Sequence, residues 1–303
     1  MEMDKQNNGF DLLFLWISKT GKFFKFRFIE FQKLIGAMEY FGFSSPIIKF
    51  WTINLFTYTF MYPMARILLG KEKSYKMCDY VIKIPSPPGI FSFPKLIKSK
   101  ITLRESADWS ILIEICITDV YHKDILKRGM NVVDIGAHIG IYTILAAEKI
   151  GDMGKIIAVE PEPKNYQRLE ENVEINNFKN VVFANTALSD YNGLEKLYVS
   201  PSSVRHSLLP QAWKNTSTQV TVKTLDTLLE ELHFKKIDII KIDAEGAEIS
   251  ILKGAKKTLK NNPNVKIIVA SYHYPSEIKE VQGFLQKMGF KTKISFSDII
   301  VTI

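Results

Sequence analysis

The sequence predicts an α/β fold, a mostly parallel, Rossmann-like sheet with helices on both faces and an antiparallel strand pair at its C-terminal edge. From Met130 onward, short apolar runs alternate with segments of helical period: MNVVDI, IYTILAAEKI, KIIAVE, PKNYQRLEENVEINN. That alternation is how a chain builds parallel strands joined by crossover helices. The closing FKTKISFSDIIVTI reads as two strands about a turn at Phe296-Ser297, which supplies the antiparallel edge.

The remaining elements follow the same pattern. NVVFANTA, LEKLYVS and QVTVKT read as strands, LDTLLEEL as a helix, and KIDIIKID as a strand. AEISILKGAKKTLKN then reads as one helix, VKIIVASY as a strand and SEIKEVQGFLQKMG as a helix. Upstream, DWSILIEICITDVYHKDILKRG has helical character, with Ile111, Ile115, Thr118 and Val120 near one side and Gly129 as its stop. IPSPPGIFSFP, with four prolines and a glycine, reads as a loop or tight strand connection and marks a soft boundary within residues 75–100. Three parts result: a basic, aromatic-rich helical extension over 1–75, a connecting segment over 76–128 that packs on the catalytic domain, and the catalytic domain over 129–303.

The extension differs in composition from the rest. Residues 1–128 carry 19 Lys and Arg against 12 Asp and Glu, whereas residues 129–303 carry 21 against 20. The catalytic part is thus nearly neutral, which argues against nucleic acid as its substrate. Twelve of the 20 Phe lie within residues 10–60, interleaved with Lys and Arg in GKFFKFRFIEFQK. The uncharged run from Phe50 to Ala65 is shorter than the ~20 residues of a spanning helix and contains Pro63. Packing on the catalytic domain or on a second copy of the chain is the expected role of these helices. Peripheral membrane contact through residues 10–70 is the alternative. No secretory signal is recognised, and Cys78 and Cys116 lack any metal or redox spacing, so a cytoplasmic setting is expected, with or without membrane association.

VVDIGAHIGIYT, Val132 to Thr143, is the first functional motif. Asp134 ends a strand, Gly136 and Gly140 bracket a turn that includes Ala137 and His138, and a helix follows. In such a sheet the ligand sits beyond the carboxyl ends of the strands, where strand order reverses. Glu160 closes the next strand, 20 residues after Gly140, where an acid accepts hydrogen bonds from ribose hydroxyls. The dinucleotide fingerprint Gly-x-Gly-x-x-Gly is absent, because the middle glycine is missing. An acid in the turn repels a pyrophosphate and suits a sulfonium or amino group. S-adenosylmethionine is therefore favoured over NAD.

The string VVDIGAHIG, VEPEP, LEENVEINN, NTALSD, TLD, IKIDAEGAE, LKGA, in that order and at comparable spacing, resembles the FkbM-type S-adenosylmethionine-dependent methyltransferases from about Tyr121 to the C-terminus. KIDAEGAE is its most specific element. The resemblance implies a class I methyltransferase sheet of seven strands and methyl transfer to a hydroxyl oxygen of a small molecule, sugar or lipid-linked glycan. It puts Asp134, Gly136 and Gly140 at the methionine end of the cofactor, Glu160 at the ribose, and Asp243 and Glu245 at the mouth of the fourth strand. Ala137, His138 and Thr186 are counted with the cofactor set, as is Asp243. Two departures stand out. His138 replaces the usual Asn, and the usual acid after the fifth strand is replaced in VASYHYP, which leaves Ser271, Tyr272 and His273.

An alcohol is a poor nucleophile until its proton is removed, so a positioned base is sought. Asp243, His273, Glu245 and Lys241 are the candidates. Glu245 and Glu248 share a face if the helix begins there, and Glu248 also serves as a cap. Asp243, Glu245 and Glu248 are oxygen ligands that Mg²⁺ accepts, but clustered acids are ordinary at helix starts, and no metal is assigned. The long polar stretch from Ser200 to Gln219, with Arg205, His206 and Trp213, reads as a lid or substrate loop, or as a disordered insertion. Two other readings stay open, an NAD-dependent oxidoreductase and a non-catalytic, membrane-associated cofactor-binding module.

Overall fold

The computed structural model describes residues 89–93, 97–117, 119–199, 206–208, 216–295 and 299–302. The expectations for residues 10–70 lie outside them. Among the described residues, no helix is long and apolar enough to cross a membrane. Residues 88–303 form one compact unit.

Seven strands form the central sheet: β3 (Asn131–Ile135), β4 (Lys155–Val159), β5 (Val181–Ala184), β9 (Ile239–Ile242), β10 (Lys266–Ala270), β11 (Thr292–Ile294) and β12 (Ile299–Thr302). Their order is β11-β12-β10-β9-β3-β4-β5, and β5, β4, β3, β9 and β10 run parallel. β12 is antiparallel to both of its neighbours, which confirms the antiparallel C-terminal edge. The inner strands are apolar on both faces because helices cover both. Val133, Ile135, Ile157, Ile240, Ile242, Ile267 and Val269 build one continuous core with the helices that flank them.

Strand order reverses at β3. From β3 the chain goes to β4 and β5 on one side and later returns to β9 on the other. The crevice opened at the carboxyl ends of β3 and β9 is the ligand position that this topology provides.

Four helices follow the reading of the sequence. These are α2 (Ile141–Ile150), α3 (Pro163–Glu174), α4 (Leu225–Glu231) and α7 (Glu277–Lys287). α3 is capped by Glu162, whose side chain accepts from the Asn165 N–H, and α4 by Thr224, which accepts from the Thr227 N–H. α2 is buried on almost every side, from Ile141 through Ala147. A hairpin of β1 (Gly89–Phe93) and β2 (Ile97–Leu103) explains this, since β2 packs against α2. The free backbone N–H groups of β2 go to side chains, Thr102 to Asn172 Oδ1 (2.7 Å) and Lys100 to Asn176 Oδ1 (2.6 Å). A buried ion pair between Asp108 and Arg168 of α3 fastens the following helix, α1 (Ser106–Leu112).

The structure corrects three expectations and refines a fourth. The segment from Asp108 to Gly129 is not one helix. α1 passes into a π turn (Ile113–Ile117), and the left-handed residues Asp119 and His122 break it before a 3₁₀ turn at Lys123–Ile125. The proline-rich stretch, read as a loop or tight strand connection, carries strand β1. AEISILKGAKKTLKN divides into α5 (Glu248–Lys253) and α6 (Lys256–Asn261) at Gly254 and Ala255, and only glycine fits at 254, where a Cβ would lie 2.1 Å from the Ser189 carbonyl oxygen. Finally, β7 (Gly193–Val199) and β8 (Thr216–Lys223) do not join the main sheet. With β6 (Ala187–Leu188) they make a separate three-stranded sheet.

Candidate active site

A cleft of about 960 Å³, its open mouth included, lies at the carboxyl ends of β3 and β9. Its floor is the turn that follows β3. The Gly136 and Ala137 N–H groups both donate to the Val159 carbonyl at the end of β4 (3.0 Å each), which folds the turn back over the sheet. Gly136 has φ +73°, and a Cβ there would lie 1.8 Å from the Asp243 carbonyl oxygen. Only glycine permits this contact between the β3 and β9 ends. Gly140 caps α2 with φ +87° and faces Leu169 of α3 instead of the cleft.

Glu160 is 5% exposed and lines the cleft. One carboxylate oxygen accepts from the His138 N–H (2.8 Å) and the other from the Glu162 N–H (3.0 Å). Each oxygen keeps a second lone pair for a ligand hydroxyl. Burial raises the Glu160 carboxyl to about 7, and the two backbone donors limit the rise. His138 holds a left-handed backbone (φ +53°), and neither ring nitrogen has a hydrogen-bond partner among the described residues. Burial, assisted by the Arg168 charge, drives this imidazole down to about 3, so it is neutral and offers one donor and one acceptor. Thr186 lines the same wall, its hydroxyl donating to the Thr221 carbonyl (2.9 Å).

Asp134 lies elsewhere. It is fully buried beneath the turn, where Oδ2 accepts from the Thr143 hydroxyl (2.6 Å) and Oδ1 lies 3.0 Å from Lys241 Nζ. Register explains the pair, because Asp134 and Lys241 are direct neighbours on β3 and β9. Lys241 also donates to the Gly136 carbonyl (2.7 Å), with the Tyr121 and Tyr142 rings 5.3 and 5.9 Å from its ammonium. In this structure, then, Asp134 does not reach the cofactor position directly, and Lys241 braces the turn from below.

Asp243 follows β9 and lines the cleft. Its Oδ2 accepts from the Tyr121 hydroxyl (2.5 Å) and the Tyr272 hydroxyl (3.5 Å), while Oδ1 lies 3.5 Å from His273 Nε2. Burial opposes the charge on Asp243, but the His273 hydrogen bond and the Lys241 charge overcome it and hold the carboxyl below its ordinary value. His273 follows β10, the strand beside β9. Its Nδ1 lies 3.2 Å from Glu277 and 3.5 Å from Glu248. Burial works against a charged imidazole, yet these carboxylates hold His273 well above its ordinary value. An imidazole held in that state is a poor proton acceptor.

Glu245 is not on a helix face with Glu248. It has a left-handed backbone (φ +53°) in the turn before α5, and its carbonyl accepts from the Ser207 hydroxyl (2.8 Å). Glu248, the first residue of α5, is fully buried and reaches back to the Ala244 N–H (2.7 Å). His206 and Leu208, from the polar stretch after β7, also line the cleft; Arg205 and Trp213 lie outside the described residues.

The match to known families agrees with this geometry. The methyltransferase FkbM domain matches residues 134–292, just over half of the chain. The chain belongs to the FkbM methyltransferase family. Among similar proteins, the hexuronic acid methyltransferase AglP of Haloferax volcanii is 26% identical over 166 residues, which span 54% of this chain and 64% of that protein. Methyltransferase sdnD of Sordaria araneosa is 27% identical over 197 residues, covering 54% and 75%. Among solved structures, methyltransferase FkbM from Methylobacillus flagellatus aligns with a TM-score of 0.44 at 15% identity, over 63% of this chain and 52% of that one. Fibrillarin of Aeropyrum pernix, with natively bound S-adenosyl-L-methionine, aligns at 0.41 and 12% identity, over 73% and 84%.

This FkbM methyltransferase therefore uses S-adenosylmethionine, and the nicotinamide alternative is set aside. The cleft suits such a ligand. Glu160 offers paired acceptors, and the His138 ring nitrogens have no hydrogen-bond partner among the described residues. Tyr121 and Glu277 escaped the reading of the sequence. Tyr121 precedes the matched region, and Glu277 looks like an ordinary first-turn acid of α7.

Proposed function

We propose that this methyltransferase alkylates a hydroxyl oxygen of a polyol or sugar acceptor. The observation that carries the reading is Asp243, a carboxylate on the cleft wall, next to the cofactor turn and kept ionised by His273 and Lys241. An acceptor for a hydroxyl proton is what an alcohol nucleophile requires, whereas a thiolate or amine needs it less. The printed activity of AglP on a hexuronic acid adds support at modest identity.

Bound S-adenosylmethionine supplies a methyl group on a positive sulfonium. Glu160 receives the ribose hydroxyls, the His138 imidazole holds part of the polar remainder, and Asp243 fixes the acceptor hydroxyl. With the cofactor bound, transfer of its sulfonium methyl to the acceptor oxygen would release the hydroxyl proton along its hydrogen bond to Asp243 and on to solvent. Because Asp243 is a weak base, orientation supplies most of the rate. Tyr121, through its hydrogen bond, fixes the direction in which that carboxylate faces.

Incubation with methyl-labelled S-adenosylmethionine and a panel of neutral sugars, uronic acids, lipid-linked glycans and RNA tests the reading. A product whose label resists mild base, as a methyl ether does and a methyl ester does not, is expected from a sugar. Label on nitrogen, or on RNA alone, would replace the proposal. Cofactor binding with no label on any acceptor class or cell extract would favour the non-catalytic module.

A further inference from the structure

Resting on the role proposed for Asp243, we infer that Glu277 is a positioning residue for methyl transfer. It holds the His273 ring by Nδ1 so that Nε2 faces Asp243, and through that ring it aims the carboxylate that meets the acceptor hydroxyl.

The acids around the imidazole stand on opposite sides of it. Asp243 Oδ1 lies 3.5 Å from Nε2, whereas Glu277 and Glu248 lie on the Nδ1 side, at 3.2 and 3.5 Å. Glu277 grips the residue twice, because its Oε2 also accepts from the His273 backbone N–H (2.8 Å). That fixes the ring against its own main chain. The Tyr272 ring packs on it at 4.6 Å between centroids, and the Tyr272 hydroxyl donates to the other Asp243 oxygen (3.5 Å). The His273 and Glu277 side chains are 9% and 0% exposed, so little water competes for their bond. Glu248 does not take the place of Glu277, since its nearer oxygen, Oε1, already accepts from the Ala244 N–H (2.7 Å).

The charges follow from these positions. Glu248 and Glu277 share a hydrogen bond between their carboxyl groups. Burial, together with Glu277, holds Glu248 well above the ordinary carboxyl range, so it keeps its proton and donates it. Burial also opposes charge on Glu277, but hydrogen bonds from His273 and Glu248 overcome it, and Glu277 stays ionised. Ionised Glu277 at Nδ1 and ionised Asp243 at Nε2, with Glu245 nearby, leave a proton on each ring nitrogen. Only then does Nε2 present a donor to Asp243. A neutral ring that kept its proton on Nδ1 would turn a lone pair on that carboxylate, which would swing away or take up a proton. An acid that holds one nitrogen of an imidazole fixes the tautomer and orientation of the other in the same way in hydrolase triads.

The test reads the ring and the reaction separately. In the full chain labelled with ¹⁵N-histidine, without cofactor or acceptor, His273 is assigned by the loss of its signals in His273→Gln. In the unaltered chain it should still carry both ring protons at about pH 8, above the ordinary histidine value of about 6.5. In Glu277→Gln it should lose one near that ordinary value. At saturating cofactor, single-turnover methyl transfer by Glu277→Gln should fall roughly tenfold to a hundredfold as pH rises through the same value. Affinity for S-adenosylmethionine should change little, and the unaltered chain should lack this limb. A ring that is neutral at about pH 8 in the unaltered chain overturns the inference, even if Glu277→Gln does not fold. So does a rate loss in Glu277→Gln that is equal at every pH, the mark of a merely structural acid. A chain that methylates no acceptor overturns the role of Asp243 and this inference with it. Methyl transfer with a His273 titration unmoved by Glu277→Gln overturns this inference alone.

Discussion

Asp134 and Lys241 meet across neighbouring parallel strands, Oδ1 to Nζ at 3.0 Å, with both side chains almost wholly out of water. The pair ties the ends of β3 and β9 directly under the turn that follows β3. Lys241→Met would leave the Asp134 carboxylate buried without its partner, and a loss of about 3–5 kcal/mol is expected in urea unfolding. The double variant Lys241→Met/Asp134→Asn should recover part of that loss. If the single variant unfolds like the unaltered chain, Lys241 is not a brace and its catalytic candidacy returns.

Glu160 predicts a pH dependence of cofactor binding. Its carboxyl stands at about 7 in the folded protein, above the ordinary carboxylate value. In the proposed placement ribose hydroxyls would donate to the ionised form, so affinity for S-adenosylmethionine should weaken as pH falls below about 7, by up to about tenfold per unit. Stability runs the other way. The folded state holds this proton more tightly than the unfolded chain, so the contribution of Glu160 to stability falls as pH rises from the ordinary carboxylate range through 7. Calorimetric titrations from pH 5.5 to 8 check the binding limb, and Glu160→Gln should flatten it. The variant should also lose about 1–3 kcal/mol, because one of the His138 and Glu162 N–H groups then faces the amide nitrogen, which does not accept. A slope that persists in Glu160→Gln would assign the titration to another group.

Asp243→Asn should cut single-turnover methyl transfer by about 10²–10⁴-fold while cofactor affinity stays near normal. Tyr121→Phe removes only the hydrogen bond that orients Asp243, and a smaller fall in rate is expected, with the unfolding midpoint little changed. Equal effects of the two variants would mean that the phenol itself takes part in the chemistry.

Gly136→Ala tests the contact between the strand ends. The added methyl would collide with the Asp243 carbonyl oxygen at 1.8 Å, in a backbone conformation that alanine disfavours. Relief requires the turn and the β9 end to separate, so S-adenosylmethionine affinity and methyl transfer should fall together. Calorimetry and a thermal melt read both. Unchanged affinity would show that the two ends move freely of each other.

The sheet was legible because strand alternation and the cofactor turn are local patterns, each written within about thirty residues. Glu160 was legible for the same reason, as an acid at a strand end. The Asp134–Lys241 pair was not, because it depends on the register of β3 against β9, whose residues stand 107 positions apart. The environment of His273 was hidden likewise, since its neighbours come from α5, α7 and the β9 end at once. The break of the helix before Gly129 was missed because Asp119 and His122 adopt left-handed backbones that apolar periodicity does not reveal.

Tyr121 lies before the matched region, while Asp243, which it orients, lies within it. A chain trimmed to residues 134–292 would lose β12 and most of β3, and with them the phenol that hydrogen-bonds Asp243. His206 and Leu208 of the segment after β7 bound the same opening. Two relatives with interchangeable cores can therefore diverge in acceptor through flanking and inserted stretches alone. Grafting experiments aimed at changing what is methylated should begin with those stretches and leave the sheet untouched.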